Sequence, residues 1–211
     1  MKTLSFSNIL MAISALLLIG FGAPRFLASI WMAAGDPILQ DIAEGKTITE
    51  DDQNVLIESR ETALSLVDMP RAANDLSLAY VALGATPEKL EKAIASVKAS
   101  IEMAPISESA WRRLANLQAI NPNDHAEAVI AWETARKLSE HEPQVLHDRI
   151  RVGTFLYRSM TEEQRALLRM DVETAYKNSR GSLRNYGRAN DLLEWLKFLL
   201  RDKEKTDFLN R

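Results

Sequence analysis

The stretch AIASVKASIEMAP, Ala93–Pro105, is echoed thirty-five residues later by AVIAWETARKLSEHEP, Ala128–Pro143. Each places a small residue first, a larger apolar residue four positions on, and a second small residue three after that. The first set is Ala93, Val97 and Ser100; the second is Ala128, Trp132 and Ala135. Both stretches close on a proline. Steps of four and three put such residues on one face of an α-helix. The small ones allow a neighbouring helix to approach, and the large one fills the space beside the contact. The pattern therefore reads as the second helix of a two-helix unit that recurs.

The surrounding chain agrees. Of 211 residues, 46% are hydrophobic, while there are 8 glycines, 7 prolines and no cysteine. Ala, Leu, Glu, Lys and Arg dominate, and strand-like runs of Val, Ile and Thr are lacking, so the fold class is all-α. Without cysteine there are no disulfides and no thiolate metal sites. Helix starts are marked by Thr49 with Asp52, Thr86 before Pro87, Ser107, Asp124 with Glu127, and Thr161 with Gln164. Prolines 70, 87, 105, 122 and 143 punctuate the helices. The expected helices cover about 49–67, 71–84, 87–104, 107–120, 124–140, 144–159, 162–179 and 190–206. Short links make neighbours antiparallel, so the elements are helical hairpins that must stack to bury their apolar faces.

The first thirty-five residues differ. Between Leu4 and Gly35 the only charge is Arg25. Two readings stand: a cleaved signal peptide with Ile9–Ala23 as its apolar core, or one uncleaved spanning helix over about residues 8–34. Pro24 directly after GFGA is unfavourable for cleavage, which supports the anchor. Twenty-seven residues at about 1.5 Å each give about 40 Å, more than the roughly 30 Å hydrocarbon layer. Arg25 and Trp31 would then lie near the far interface, with Pro24 kinking the helix. Lys2 and the amino terminus favour a cytoplasmic start, leaving the remainder outside the cytoplasmic membrane. GDPILQDIAEGKTIT, Gly35–Thr49, reads as a separate short helix closed by Gly45. The domain plan is an anchor over 1–35, a linker and first helix over 36–70, repeats over 71–179, and a basic loop with a capping helix over 180–211.

The two echoing units resemble the tetratricopeptide repeat, a helix–turn–helix unit of about 34 residues. The first unit carries Leu76, Ser77, Tyr80 and Gly84, then Ala93, Val97, Ser100 and Pro105. The second carries Trp111, Leu114 and Ala115, then Ala128, Trp132, Ala135 and Pro143. The link inside the first unit is about four residues longer than the family pattern, Gln118 replaces an aromatic, and Gln144–Ser179 keeps only the two-helix outline. The resemblance implies a short solenoid whose first helices line a groove for an extended peptide. It places Arg71, Asn74, Leu78 and Val81 of the first unit, and Ser109, Arg112 and Asn116 of the second, on that groove. The order of GDPILQDIAEGKTIT, SRETALSLVD and DLSLAYVAL is also similar to small membrane-anchored proteins of bacterial exopolysaccharide assembly, which implies an envelope role.

No constellation for catalysis is found. His125, His141 and His147 lack metal-ligand spacing, and there is no glycine-rich phosphate loop, GxSxG or cysteine nucleophile. The expectation is a non-enzyme with no cofactor, no metal and no nucleic-acid partner. KNSRGSLRNYGR, Lys177–Arg188, has four basic residues, no acid and two glycines, and reads as a basic inter-helix loop. Its Lys177, Arg180, Arg184 and Arg188 are candidates for contact with an anionic surface. LLEWLKFLL, Leu192–Leu200, reads as a capping helix, with Trp195 or Phe198 able to dock a partner. Charge is uneven: residues 36–143 hold 10 Lys and Arg against 19 Asp and Glu, whereas residues 144–211 hold 14 against 10. The function expected is a single-pass scaffold holding another protein, such as a membrane-complex subunit, at a bacterial inner membrane. The alternative is a periplasmic assembly chaperone for cytochrome maturation, pili or secretion, with an enzyme a distant third.

Overall fold

The computed structural model describes residues 6–140 and 142–210. All regular elements among the described residues are helical. They are α1 (Phe6–Ala43), α2 (Glu50–Leu66), α3 (Pro70–Val81), α4 (Pro87–Met103), α5 (Glu108–Ala119), α6 (His125–Leu138), α7 (Pro143–Leu156), α8 (Glu162–Ala189), α9 (Leu193–Leu200) and α10 (Lys203–Asn210). Two compact units divide the chain, Met1–Pro105 and Ile106–Arg211.

In the first unit α1 pairs with α2, α3 pairs with α4, and α2 packs on α3. Helix ends follow local chemistry. The Thr49 hydroxyl accepts from the Asp52 amide, and the Asp52 carboxylate accepts from the Thr49 amide, a reciprocal cap. Thr86 caps α4, with Pro87 at its first position. Gly84, at φ +120°, makes the turn between α3 and α4 in a conformation a side chain would resist. Ala93, Val97 and Ser100 are all buried. The Ser100 hydroxyl donates to the Pro70 carbonyl at 2.8 Å, fastening the end of α4 to the start of α3. Tyr80 donates to Glu61 at 2.7 Å. Burial first, and then this carboxylate, push its phenol up to about 12.

Helix α1 departs from the expected plan. GDPILQDIAEGKTIT does not start a new helix; α1 runs unbroken through Pro24 and Pro37 to Ala43, and Gly45 at φ +72° ends the turn. From Leu10 to Leu27 its large apolar side chains are exposed. Beyond that point, one face is covered by α2. Ala28 and Met32 are buried with Ala63 and Ala72, and Leu64, Val67 and Met69 pack around them. One turn further, a Cβ on Gly35 would lie 2.5 Å from the Ser59 hydroxyl and 2.8 Å from an Arg60 nitrogen. The stretch exposed on all sides thus ends near Leu27, not Ala34, and α1 crosses the expected 35/36 boundary.

A buried charge explains the close fit. Arg60 has no exposed surface. Its guanidinium donates to the Met32 carbonyl at 2.6 Å and to the Asp36 carboxylate at 2.6 Å, and lies 3.4 Å from Asp75. Arg71 reaches the same two carboxylates at 3.3 and 3.6 Å. A buried cation needs such partners because desolvation alone costs several kcal/mol, of order 20 in the idealised limit. The set ties α1, α2 and α3 together.

In the second unit α5 pairs with α6, α7 packs on both, and α8, α9 and α10 follow in turn. Trp132, 1% exposed, donates its indole N–H to the Arg149 carbonyl at 2.9 Å. Gly153 lets α7 approach: a Cβ there would come within 2.7 Å of Leu168 and 3.2 Å of the Trp132 ring. Arg149 pairs with Asp171 at 2.8 Å and Arg136 joins it at 3.2 Å, all three being buried. Asp124 does not cap α6; it sits in a 3₁₀ turn, Pro122–Asp124, where Asn121 takes the capping role. Lys177–Arg188 is helix, not loop. Ser179 adopts an extended conformation (φ −162°, ψ 85°) and bends α8, and residues 180–189 continue as helix beyond it. The expected 190–206 helix is two, α9 and α10, because Arg201 takes a left-handed conformation at φ 52°.

Candidate functional site

The expected groove positions have different fates. In the first unit, the Arg71 guanidinium is engaged with Asp36 and Asp75. Leu78 and Val81 are half-buried. Asn74 is half-buried as well, and its amide oxygen is buried without a hydrogen-bond partner. In the second unit, Arg112 on α5 donates to Glu108 at 2.9 Å and to Asp148 of α7 at 2.9 Å. Arg112 is therefore a tie between helices rather than a free donor. Ser109, close by, is exposed.

Asn116 stands one turn beyond Arg112, and here the second unit opens. Its amide donates to the Arg112 carbonyl, and its oxygen accepts from Arg151 at 2.8 Å. Arg151 also grips Asp148 at 2.6 Å. Burial opposes the charged form of Asp148, but hydrogen bonds and charge from Arg151 and Arg112 outweigh it, and the carboxyl titrates below its ordinary value. Tyr186 stacks on His147 at 4.9 Å between ring centres, and burial lowers the imidazole pKa.

Beside this network lies a cleft of about 390 Å³. Its floor and walls combine Asn116 of α5 with Ile120 just beyond its end, Arg151 and Phe155 of α7, and Asn190 and Trp195 at the α8–α9 turn. Asp191 holds that turn open at φ 55°. Its polar groups are engaged within the unit, Asn116 and Arg151 with each other and with α5 and Asp148, and Asn190 with the Tyr186 carbonyl, while Ile120, Phe155 and Trp195 give it an apolar rim. Phe155 is 63% exposed and Ile120 50%, an unusual exposure for two large apolar groups lining one cleft.

The chain matches no protein-family model and no curated protein. The cleft's own geometry therefore carries the functional reading. Asn116 alone among the expected groove residues lines it. Arg151, Phe155 and Asn190 were missed. Phe155 was legible in principle, as an aromatic residue on the solvent side of α7, but Asn190 and Trp195 reach the cleft only through the bend in α8.

The basic cluster is differently arranged from expectation. Arg180 and Arg184 lie over the Phe208 ring of α10 at 4.6 and 4.9 Å. Lys177 and Arg188 are exposed. Trp195 and Phe198 meet Tyr157 in an aromatic cluster, with Arg165 over the Tyr157 ring at 4.8 Å. Of the histidines, His125 meets the Ala119 carbonyl at 3.0 Å and packs edge-on against Phe155. His141 lies outside the described residues.

Proposed function

We propose that this chain is a membrane-tethered, non-enzymatic scaffold that holds a partner protein at a bacterial inner membrane, with its helical hairpins on the periplasmic side. The observation that carries the tether is the continuity of α1. The part of α1 from Leu10 to Leu27, whose described large apolar side chains are exposed, spans about 27 Å at about 1.5 Å per residue, close to the roughly 30 Å hydrocarbon layer. The helix then enters the first hairpin without a break, so the anchor and the first unit are one rigid piece. A cut at Ala33–Gly35 would remove Ala28 and Met32 from the side of α2, so this reading disfavours cleavage there. Burial of the small residues Ser77, Ala93, Ala115 and Ala128 supports a tetratricopeptide-like stacking of hairpins. The α5–α7–α9 cleft supports capture of an extended peptide segment.

The test is a photo-crosslinking side chain at Phe155 in the full chain, irradiated in intact membranes. A discrete adduct at Phe155, absent when the same group replaces exposed Glu88, is expected. Identical patterns at the two positions would overturn the cleft assignment.

A further inference from the structure

The first unit carries a second surface at the end where α1 emerges from its exposed apolar stretch. Helix α2 runs antiparallel to α1, so its carboxyl-terminal end lies beside the beginning of the covered part of α1. Ala28 and Met32 pack with Ala63, Ala72, Leu64, Val67 and Met69. The α2–α3 turn, residues 67–69, therefore sits level with Ala28–Met32. On the uncovered side of α1, Ile30 is 53% exposed and Trp31 45%. Tryptophan favours the headgroup level of a bilayer, because its ring is apolar and its N–H needs water. Leu66, at the end of α2, is exposed as well, while Val67 and Met69 are half-buried. Between them Asp68 is exposed. A carboxylate is expensive in hydrocarbon and tolerable among headgroups, so it limits how deep the turn can go.

We infer that the α2–α3 turn, through Leu66, Val67 and Met69, rests in the headgroup layer of the bilayer opposite Trp31. The first unit then touches the membrane at two places, the spanning helix and this turn. Two contacts fix its tilt, which a single helix entering a bilayer would leave free. The inference rests on the membrane-tether reading proposed above. Continuity of the exposed apolar surface from Leu27 through Ile30 and Trp31 to this level is what selects lipid as the occupant.

The chain has no cysteine, so single spin labels can be placed without background. Three exposed positions serve: Leu17→Cys in the apolar stretch, Leu66→Cys at the turn, and Asp51→Cys at the other end of α2. Residues 51 and 66 are separated by about 22 Å along the helix. The full chain in lipid nanodiscs is probed for collision with oxygen, which concentrates in lipid, and with a water-soluble nickel chelate. The expected result is a lipid-buried label at 17, a label at 66 at phosphate depth, and a label at 51 as accessible to nickel as a free peptide. A label at 66 as water-exposed as that at 51, with 17 still in lipid, overturns the inference and leaves the tether standing. A water-exposed label at 17 removes the tether reading, and this inference with it.

Discussion

Asp148 and Arg112 illustrate how one residue's partners decide its role. Arginine with asparagine one turn on suits peptide recognition, and both groups are half-exposed. The Arg112 guanidinium is nevertheless engaged by Glu108 and Asp148, so its first task is to join α5 to α7. The carboxyl pKa of Asp148 is lowered on folding. Such a group binds fewer protons folded than unfolded, so it contributes stability that is present above the unfolded value, near 3.9, and lost as pH falls through the lower folded value. Asp148→Asn keeps the shape and removes the charge. The parent should exceed this variant in unfolding free energy by about 1 kcal/mol near neutral pH, the size of a partly exposed paired carboxylate. The gap should close below about pH 4. Denaturant unfolding at a series of pH values measures it, and a gap that persists in acid would mean that charge is not the cause.

At the scale of elements, Gly35 decides how closely α1 and α2 meet. An alanine there gains up to about 1 kcal/mol of helix propensity. Against this, its Cβ would lie 2.5 Å from Ser59, 2.8 Å from Arg60 and 2.9 Å from Leu56. Arg60 cannot give way, because Met32 and Asp36 hold it. Overpacking of this kind costs about 1–3 kcal/mol, so Gly35→Ala should lower the thermal midpoint in detergent. Gly20→Ala, with nothing within 4 Å, should not. Equal midpoints for the two variants would deny the close approach. Gly35 also marks what could be read in advance. Thr49 with Asp52 and Thr161 with Gln164 form the reciprocal caps their spacing announced, since a cap is a contact over three residues. Gly35–Thr49 reads as a separate helix, yet α1 runs into it through Pro37, although a proline inside a helix costs about 3 kcal/mol; the packing of this part of α1 on α2 is not visible in the local sequence. The break at Ser179 falls where the expected helix ended, beside Asn178 and Gly181, whereas the left-handed Arg201 carries no turn signature, being neither glycine nor asparagine. Arg60 with Asp36 and Arg149 with Asp171 join residues 24 and 22 positions apart, which no local pattern encodes. Asn190 and Trp195 reach the cleft by the same long-range geometry.

For the whole molecule, the decisive question is where the anchor stops and the first unit begins. Composition alone places that boundary near residue 35, where charge returns. Packing places it near Leu27, because Ala28, Met32 and Gly35 are covered by α2 while Leu10–Leu27 are not. The two boundaries predict different behaviour for shortened chains. A chain beginning at Phe26 keeps Ala28, Met32 and Gly35 against α2. One beginning at Asp36 loses buried Ala28 and Met32 and the Met32 carbonyl that accepts from Arg60. Losing a buried methionine costs about 2–5 kcal/mol, and an unmet bond from a buried cation adds about 1.5–3. That sum is comparable with the 5–15 kcal/mol that stabilises an ordinary domain. Amide hydrogen exchange along α2 separates the outcomes. Protection across Leu56–Ala63 should match the full chain when the start is Phe26 and collapse when the start is Asp36. Equal protection in both would return the boundary to residue 35 and make residues 28–35 part of the anchor alone.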